Sequence, residues 1–107
     1  VDTKALFPDA YPDGPIVDAE DHVWTGLYLG AQVARFSPDG KLVATVTMPA
    51  RDVTKMALGG PDLKTAYVTT ATKNMDEAAF QKFPAAGNLL SFDSPVAGVA
   101  PARVKLG

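Results

Sequence analysis

The sequence contains no cysteine, and one histidine and one tryptophan stand among its 107 residues. Without cysteine there is no disulfide, no thiolate metal site and no thiol nucleophile, which suits cytoplasm and periplasm alike. Charge of one sign is also scarce. Ten basic and twelve acidic side chains leave a formal net charge of −2 with histidine neutral. Such a chain lacks the concentrated Lys and Arg that displace counterions from phosphates, so no nucleic-acid partner is expected. No apolar run approaches the ~20 residues of a membrane span, and no basic-then-apolar leader opens the given residues, so no membrane partner is expected. Helix-length apolar periodicity is nearly absent as well.

What is present is globular material, 47% apolar and 21% charged, in one domain's worth of chain at most. Short β-branched and aromatic runs alternate with Gly, Pro and Asp clusters. They predict strands at Thr3–Phe7, Pro15–Asp18, His22–Leu27, Gln32–Phe36, Leu42–Met48, Lys55–Leu58, Thr65–Thr70 and Gly87–Phe92. Ser37-Pro-Asp-Gly40, Asp18-Ala-Glu-Asp21 and Gly59-Gly-Pro-Asp62 punctuate them as tight turns. The class is all-β, an antiparallel meander. One segment departs from it. Asn74 can cap a short helix with Glu77 in a capping box, Lys82 lies near its negative end, and Pro84 stops it. Met75, Ala79 and Phe83 share one apolar stripe.

An internal repeat runs through the strands. Ile16-Val17-Asp18 aligns with Met56-Ala57-Leu58, Val23-Trp24-Thr25 with Ala66-Tyr67-Val68, and Gln32–Phe36 with Asn88–Phe92. A period near 40 with four short strands per unit is the signature of propeller blades of ~40–45 residues. At that period the chain makes about two and a half blades, where closed propellers use ~4–8. The expected organisation is therefore partial: residues 1–7 end a preceding blade, 15–48 form a complete blade, and 55–92 form a last blade without its closing strand.

The stretch Tyr11-Pro-Asp-Gly-Pro-Ile-Val-Asp-Ala-Glu-Asp-His-Val-Trp24 carries a more specific pattern. It continues through Gln32–Phe36, Ser37–Gly40, Met48-Pro49, Thr54, Leu58-Gly-Gly60 and Tyr67-Val-Thr-Thr70. Together these resemble the C-terminal part of the gluconolactonase, senescence marker protein (regucalcin) and luciferin-regenerating enzyme family. The resemblance implies a six-bladed propeller that hydrolyses a sugar lactone or similar cyclic ester, using one divalent metal at the mouth of its channel. It makes Asp13 a metal ligand and the catalytic base. The remaining ligands, a glutamate and an asparagine, would lie upstream, so the chain is expected to be the last third or so of a longer polypeptide. The pattern also departs from the family. Asp21-His22 replaces the usual Gly and its neighbour, Pro15 stands where an apolar residue is common, and Leu29-Gly-Ala31 replaces a Gly-Gly pair.

Chain parity selects the same carboxylate by another route. In an antiparallel meander successive turns fall on opposite ends of the sheet. Asp13 then shares a face with Tyr28–Ala31, Thr54 and the 74–83 helix, while Asp18, Glu20, Asp21, Asp39 and Asp62 lie on the far face. The first strand of a blade is innermost, so Asp13 and Thr54 border the channel. Oxygen ligands suit Ca²⁺, Mg²⁺ or Mn²⁺, with Zn²⁺ admissible, and one such cation both polarises a carbonyl and makes water nucleophilic. Thr54 and Tyr28 are expected to line the substrate pocket. His22 reads as a solvated turn residue, the acidic 18–21 loop as surface, and Trp24 as core between blades.

The expected partners are a small-molecule lactone and the rest of the propeller, supplied by upstream polypeptide or a companion chain. The isolated 107 residues are expected to be inactive. Two alternatives stand beside this: a non-catalytic ligand- or Ca-binding propeller, or a short chain that builds a ring by oligomerisation.

Overall fold

The computed structural model describes residues 3–73 and 75–99. A helical turn, α1 (Thr3–Leu6), leads into a four-stranded antiparallel sheet of β1 (Tyr11–Val17), β2 (Val23–Tyr28), β3 (Gln32–Phe36) and β4 (Leu42–Thr47) in sequential order. A second sheet follows with β5 (Asp52–Gly59), β6 (Thr65–Ala71) and β7 (Leu90–Asp93), also in order. The helix α2 (Glu77–Lys82) sits between β6 and β7. Every expected strand but one is present. Thr3–Phe7 is the exception: Lys4, Ala5 and Leu6 are strong helix formers, and Pro8 ends the turn.

The two sheets bury one shared core. Trp24 and Val33 of the first meet Val53, Met56, Ala66 and Val68 of the second, and Met48 closes one end. Trp24 stacks obliquely on Phe92 of β7, ring centroids 6.0 Å apart. A smaller cluster of Ala10, Leu27, Ala34 and Phe36, with Phe7 against it, lines the opposite face of the first sheet. Alternation of side chains along each strand separates these two faces.

Both first strands carry a bulge at their leading end. In β1 the register shifts between Asp13 and Ile16; in β5 it shifts between Val53 and Lys55, leaving Thr54 as the extra residue. Tyr11–Gly14, which lies before the expected strand Pro15–Asp18, is thus the start of an edge strand, where Pro12 and Pro15 are tolerated. Register also refines the repeat. Val23 faces Phe36 as Ala66 faces Phe92, so the offsets of 43 and 56 hold. Val17 faces Val23 as Leu58 faces Ala66, which makes the first-strand offset 58 − 17 = 41 rather than 40. Thr54 is therefore the positional counterpart of Asp13.

The inserted helix is capped two residues later than expected. Asp76 accepts the Ala79 amide at 2.9 Å, and the expected cap Asn74 lies outside the described residues. Met75, Ala79 and Phe83 are half-buried while the rest of α2 is exposed, so the apolar stripe is the packed side.

The sheets come close together at residues without side chains. A methyl group at Gly26 would lie 2.9 Å from Val53 Cγ1 and 3.3 Å from the Asp13 and Val53 carbonyls. Gly26→Ala is expected to destabilise the fold by about 1–3 kcal/mol, the usual cost of overpacking. Combined with Val53→Ala, the loss should be smaller than the sum of the two, because the pair shares one contact. Denaturant titration of the four-member mutant cycle checks this; strict additivity would refute the close contact.

Candidate active site

The two bulges meet edge to edge. Gly14 has φ +59°, and a Cβ there would sit 2.7 Å from the Thr54 carbonyl oxygen and 2.8 Å from Lys55 Cγ. Glycine is required at this point both by backbone conformation and by space. On its other side, Thr25 donates its hydroxyl to the Asp13 carbonyl at 3.2 Å. The Asp13 main chain is thus held between β2 and β5 while its side chain is exposed. No described residue hydrogen-bonds or ion-pairs with that carboxylate. Its lone pairs are uncommitted, which suits one ligand position on a hard cation. Among the described residues no group of three or more His, Asp or Glu could hold a metal ion. The residues present fit one position of a coordination shell.

Thr54 is half-buried, and its hydroxyl is engaged within the sheet. It lies 2.7 Å from Thr69 Oγ1 and donates to the Thr69 carbonyl at 3.1 Å, while Thr69 Oγ1 donates to the Lys55 carbonyl at 3.2 Å. A hollow of about 170 Å³ adjoins this pair, lined by Thr69, Thr70, Gly87, Asn88 and Leu89. Thr70 Oγ1 spans it, accepting from the Gly87 amide and donating to the Asn88 carbonyl. A larger groove, about 720 Å³, opens on the face of the first sheet turned away from the second, against Val23, Phe36, Pro12 and Pro15. Its lining is mostly apolar, with Asp21, Thr25, Ser37 and Asp39 among it.

Tyr28 ends β2 opposite Tyr11, half-buried, on the same end of the sheet as Asp13. Its electrostatic neighbour is Arg51, which sequence reasoning passed over. Arg51 binds fully buried Asp52 through Nε at 2.8 Å and Nη2 at 3.0 Å. The bond to Asp52 holds the guanidinium above its ordinary pKa against the opposing effect of burial, with Tyr28 and Asp76 adding to it. The Arg51 carbonyl also accepts the Ala31 amide, and the Ala31 carbonyl accepts the Met48 amide. These bonds hold Leu29 and Ala31 at φ of +70° and +52°, costly for non-glycine residues. An adjacent Arg-Asp at a strand start was the available signal for this anchor.

The opposite end of the molecule corrects one expectation. Asp18 is not a surface residue of an acidic loop; it is fully buried. Its Oδ2 accepts Trp24 Nε1 and Arg35 Nε, both at 2.9 Å, and its Oδ1 accepts the Glu20 and His22 amides. Arg35 Nη2 lies 3.6 Å from the Glu20 carboxylate, with the guanidinium 5.7 Å from the Trp24 ring. Burial alone would push the Asp18 carboxyl up; Arg35, the two amides and the indole outweigh it and hold it below its ordinary value. The chain after β7 crosses this end. Ala97 accepts the Ala19 amide, while Ser94 and Gly98 donate to the Lys64 and Leu63 carbonyls, tying the turns of both sheets together. His22 is half-buried, with Nδ1 2.9 Å from the Glu20 carbonyl.

The architecture and the sequence both have known counterparts. The model of the SMP-30/Gluconolactonase/LRE-like region matches residues 2–72. The chain belongs to that family. Regucalcin of Xenopus laevis is 37% identical over 95 residues, 87% of this chain and 32% of that protein. Pentonolactonase XacC of Haloferax volcanii is 36% identical over 102 residues, 90% of this chain and 35% of that protein. The crystal structure of a calcium-binding regucalcin from Agrobacterium tumefaciens superposes with a TM-score of 0.83 at 29% identity, covering 89% of this chain and 32% of that one. The chain thus spans about a third of the length of the relatives it matches. The two meanders are a partial propeller of this family's all-β type.

In this family member the Asp18 cluster ties stability to acid. A carboxyl whose native pKa is depressed contributes stability above its unfolded value, about 3.8, and loses it as pH falls through the lower native value. Unfolding free energy should therefore fall with pH below about 3.8. Asp18→Asn should flatten that slope and cost about 3–5 kcal/mol near neutral pH, because Arg35 keeps a charge without its buried partner. Urea titrations from pH 2 to 7 on both proteins test it; an unchanged acid slope in the variant would exclude Asp18 as its source.

Proposed function

We propose that the chain is part of a divalent-metal-dependent lactonase that hydrolyses a sugar lactone or similar cyclic ester. Membership of the gluconolactonase-like family supports this, as does a relative that is a pentonolactonase. The observation that carries it is the state of Asp13. Asp52 is committed to Arg51 and Asp76 to the helix cap, whereas the exposed Asp13 carboxylate keeps its acceptors free on a rigid bulge. Asp13 would hold one divalent cation, Ca²⁺, Zn²⁺, Mg²⁺ or Mn²⁺, with the other ligands supplied by further blades of a six-bladed ring; such a cation would supply Lewis acidity to the lactone carbonyl and to a water near neutral pH. The Asp13 carboxylate would accept a proton from the attacking water and return it to the departing ring oxygen. Tyr28 borders the site from the end of β2, and Thr54 from its bulge. The second reading, a propeller that binds Ca²⁺ without catalysis, is favoured by the regucalcin described as calcium-binding.

Asp13→Asn in the complete lactonase should lower kcat on gluconolactone at least about 100-fold, the typical scale for a removed general base. Full activity with metal retained would sink the proposal. No lactone turnover by the intact protein, with Ca²⁺ still bound, would favour the second reading. Calorimetric titration of the 107-residue chain alone with Ca²⁺ or Zn²⁺ should show no tight site, since one carboxylate cannot hold a cation.

A further inference from the structure

The Asp13–Gly14 backbone is seated against the second sheet. Its bulge rests on the Thr54 carbonyl, the nearest atom to the missing Gly14 side chain. That carbonyl belongs to a residue outside the regular ladder, since the register slips between Val53 and Lys55. An extra residue in a bulge has no partner of its own to fix it. Here the fixing is done by side chains. Thr54 Oγ1 reaches the Thr69 carbonyl, Thr69 Oγ1 reaches the Lys55 carbonyl on the far side of the bulge, and the two hydroxyl oxygens lie 2.7 Å apart, so two protons serve three contacts. Thr69 is exposed, yet its hydroxyl is turned onto the main chain of β5.

We propose that Thr69 is a positioning residue for Asp13: its hydroxyl, paired with that of Thr54, braces the β5 bulge on which the Asp13–Gly14 backbone sits. The proposal rests on reading Asp13 as a metal ligand and adds to it. It also reassigns Thr54, whose hydroxyl serves the brace and whose carbonyl forms the floor under Gly14. Valine at 69 keeps the β-branched shape that a strand favours and removes only the hydroxyl.

The test uses the complete protein with Mn²⁺ as the metal probe and gluconolactone as substrate. Thr69→Val should weaken the Mn²⁺ dissociation constant about tenfold by calorimetry, the lower end for a residue supporting a metal ligand. It should lower kcat by a similar factor while KM stays within about twofold, and Thr69→Ser should restore both. Should Thr69→Val not fold, Thr54→Val removes the other hydroxyl of the pair and is read the same way. Wild-type Mn²⁺ affinity and kcat in a folded valine variant would overturn the brace, as would a serine variant no better than valine. Asp13→Asn is run beside them. If it leaves Mn²⁺ affinity unchanged, the ligand reading itself fails; if it abolishes binding while Thr69→Val does not weaken it, only the brace fails.

Discussion

Contact between the leading end of β1 and the leading end of β5 is the constraint on which the rest of the structure turns. Packed sheets ordinarily stand about 10 Å apart, separated by their side chains. Here Gly14 and Gly26 remove those side chains, and main chain meets main chain. Only then can the β1 bulge lie over the Thr54 carbonyl, and only then does Asp13 emerge on the end of the molecule shared by Thr54 and Tyr28. The common core follows from the same approach. Trp24, Met56, Val53 and Val68 are almost entirely excluded from water, and each such side chain contributes about 1.5–3 kcal/mol by burial. Those gains hold the sheets together, but the glycines decide where they touch.

The carboxylates divide by what their oxygens are doing. Asp18 and Asp52 are both fully buried, and each is matched by an arginine and further donors. A buried carboxylate without such partners would be untenable, so their acceptors are spent on holding loops and strands. Asp18 secures the β1–β2 turn to β3, beside the segment that joins the two sheets; Asp52 secures the entry to β5. Asp13 is the reverse case, an acidic group fixed by its backbone and left open at its head. Rigid main chain with an uncommitted side chain is what a binding position needs.

Much of this was legible in the sequence because it depends on period and parity. Short β-branched and aromatic runs between Gly, Pro and Asp clusters marked seven strands, Trp24 read as core, and counting turns put Asp13, Tyr28 and Thr54 on one end. What was not legible depends on partners distant along the chain. Asp18 looked like surface because its Arg35 partner stands 17 positions later, across two strands. The first-strand offset of the repeat came out one residue short because apolar residues were matched by type, Ile16 with Met56, and a slip of one reverses which side faces the core. Thr69 entered only as one letter of the Tyr67–Thr70 pattern: a threonine in a strand is ordinary until its hydroxyl is found on another strand's carbonyl. The Thr3–Phe7 run failed for a local reason, since a helix-prone tripeptide ahead of proline outweighed the pattern around it.

The corrected offset also sets Asp13 beside its counterpart in the second repeat. Asp13 and Thr54 occupy the same place in successive repeats, and the repeat has put an acid in one and a hydroxyl in the other. The roles of the two positions then differ because their chemistry does. A carboxylate left free can ligate a hard cation, whereas a threonine hydroxyl closed onto a neighbouring threonine and backbone carbonyl is bound into the sheet. The second bulge supports the first, and a site of this kind gains its rigidity from the blade that does not supply the charge.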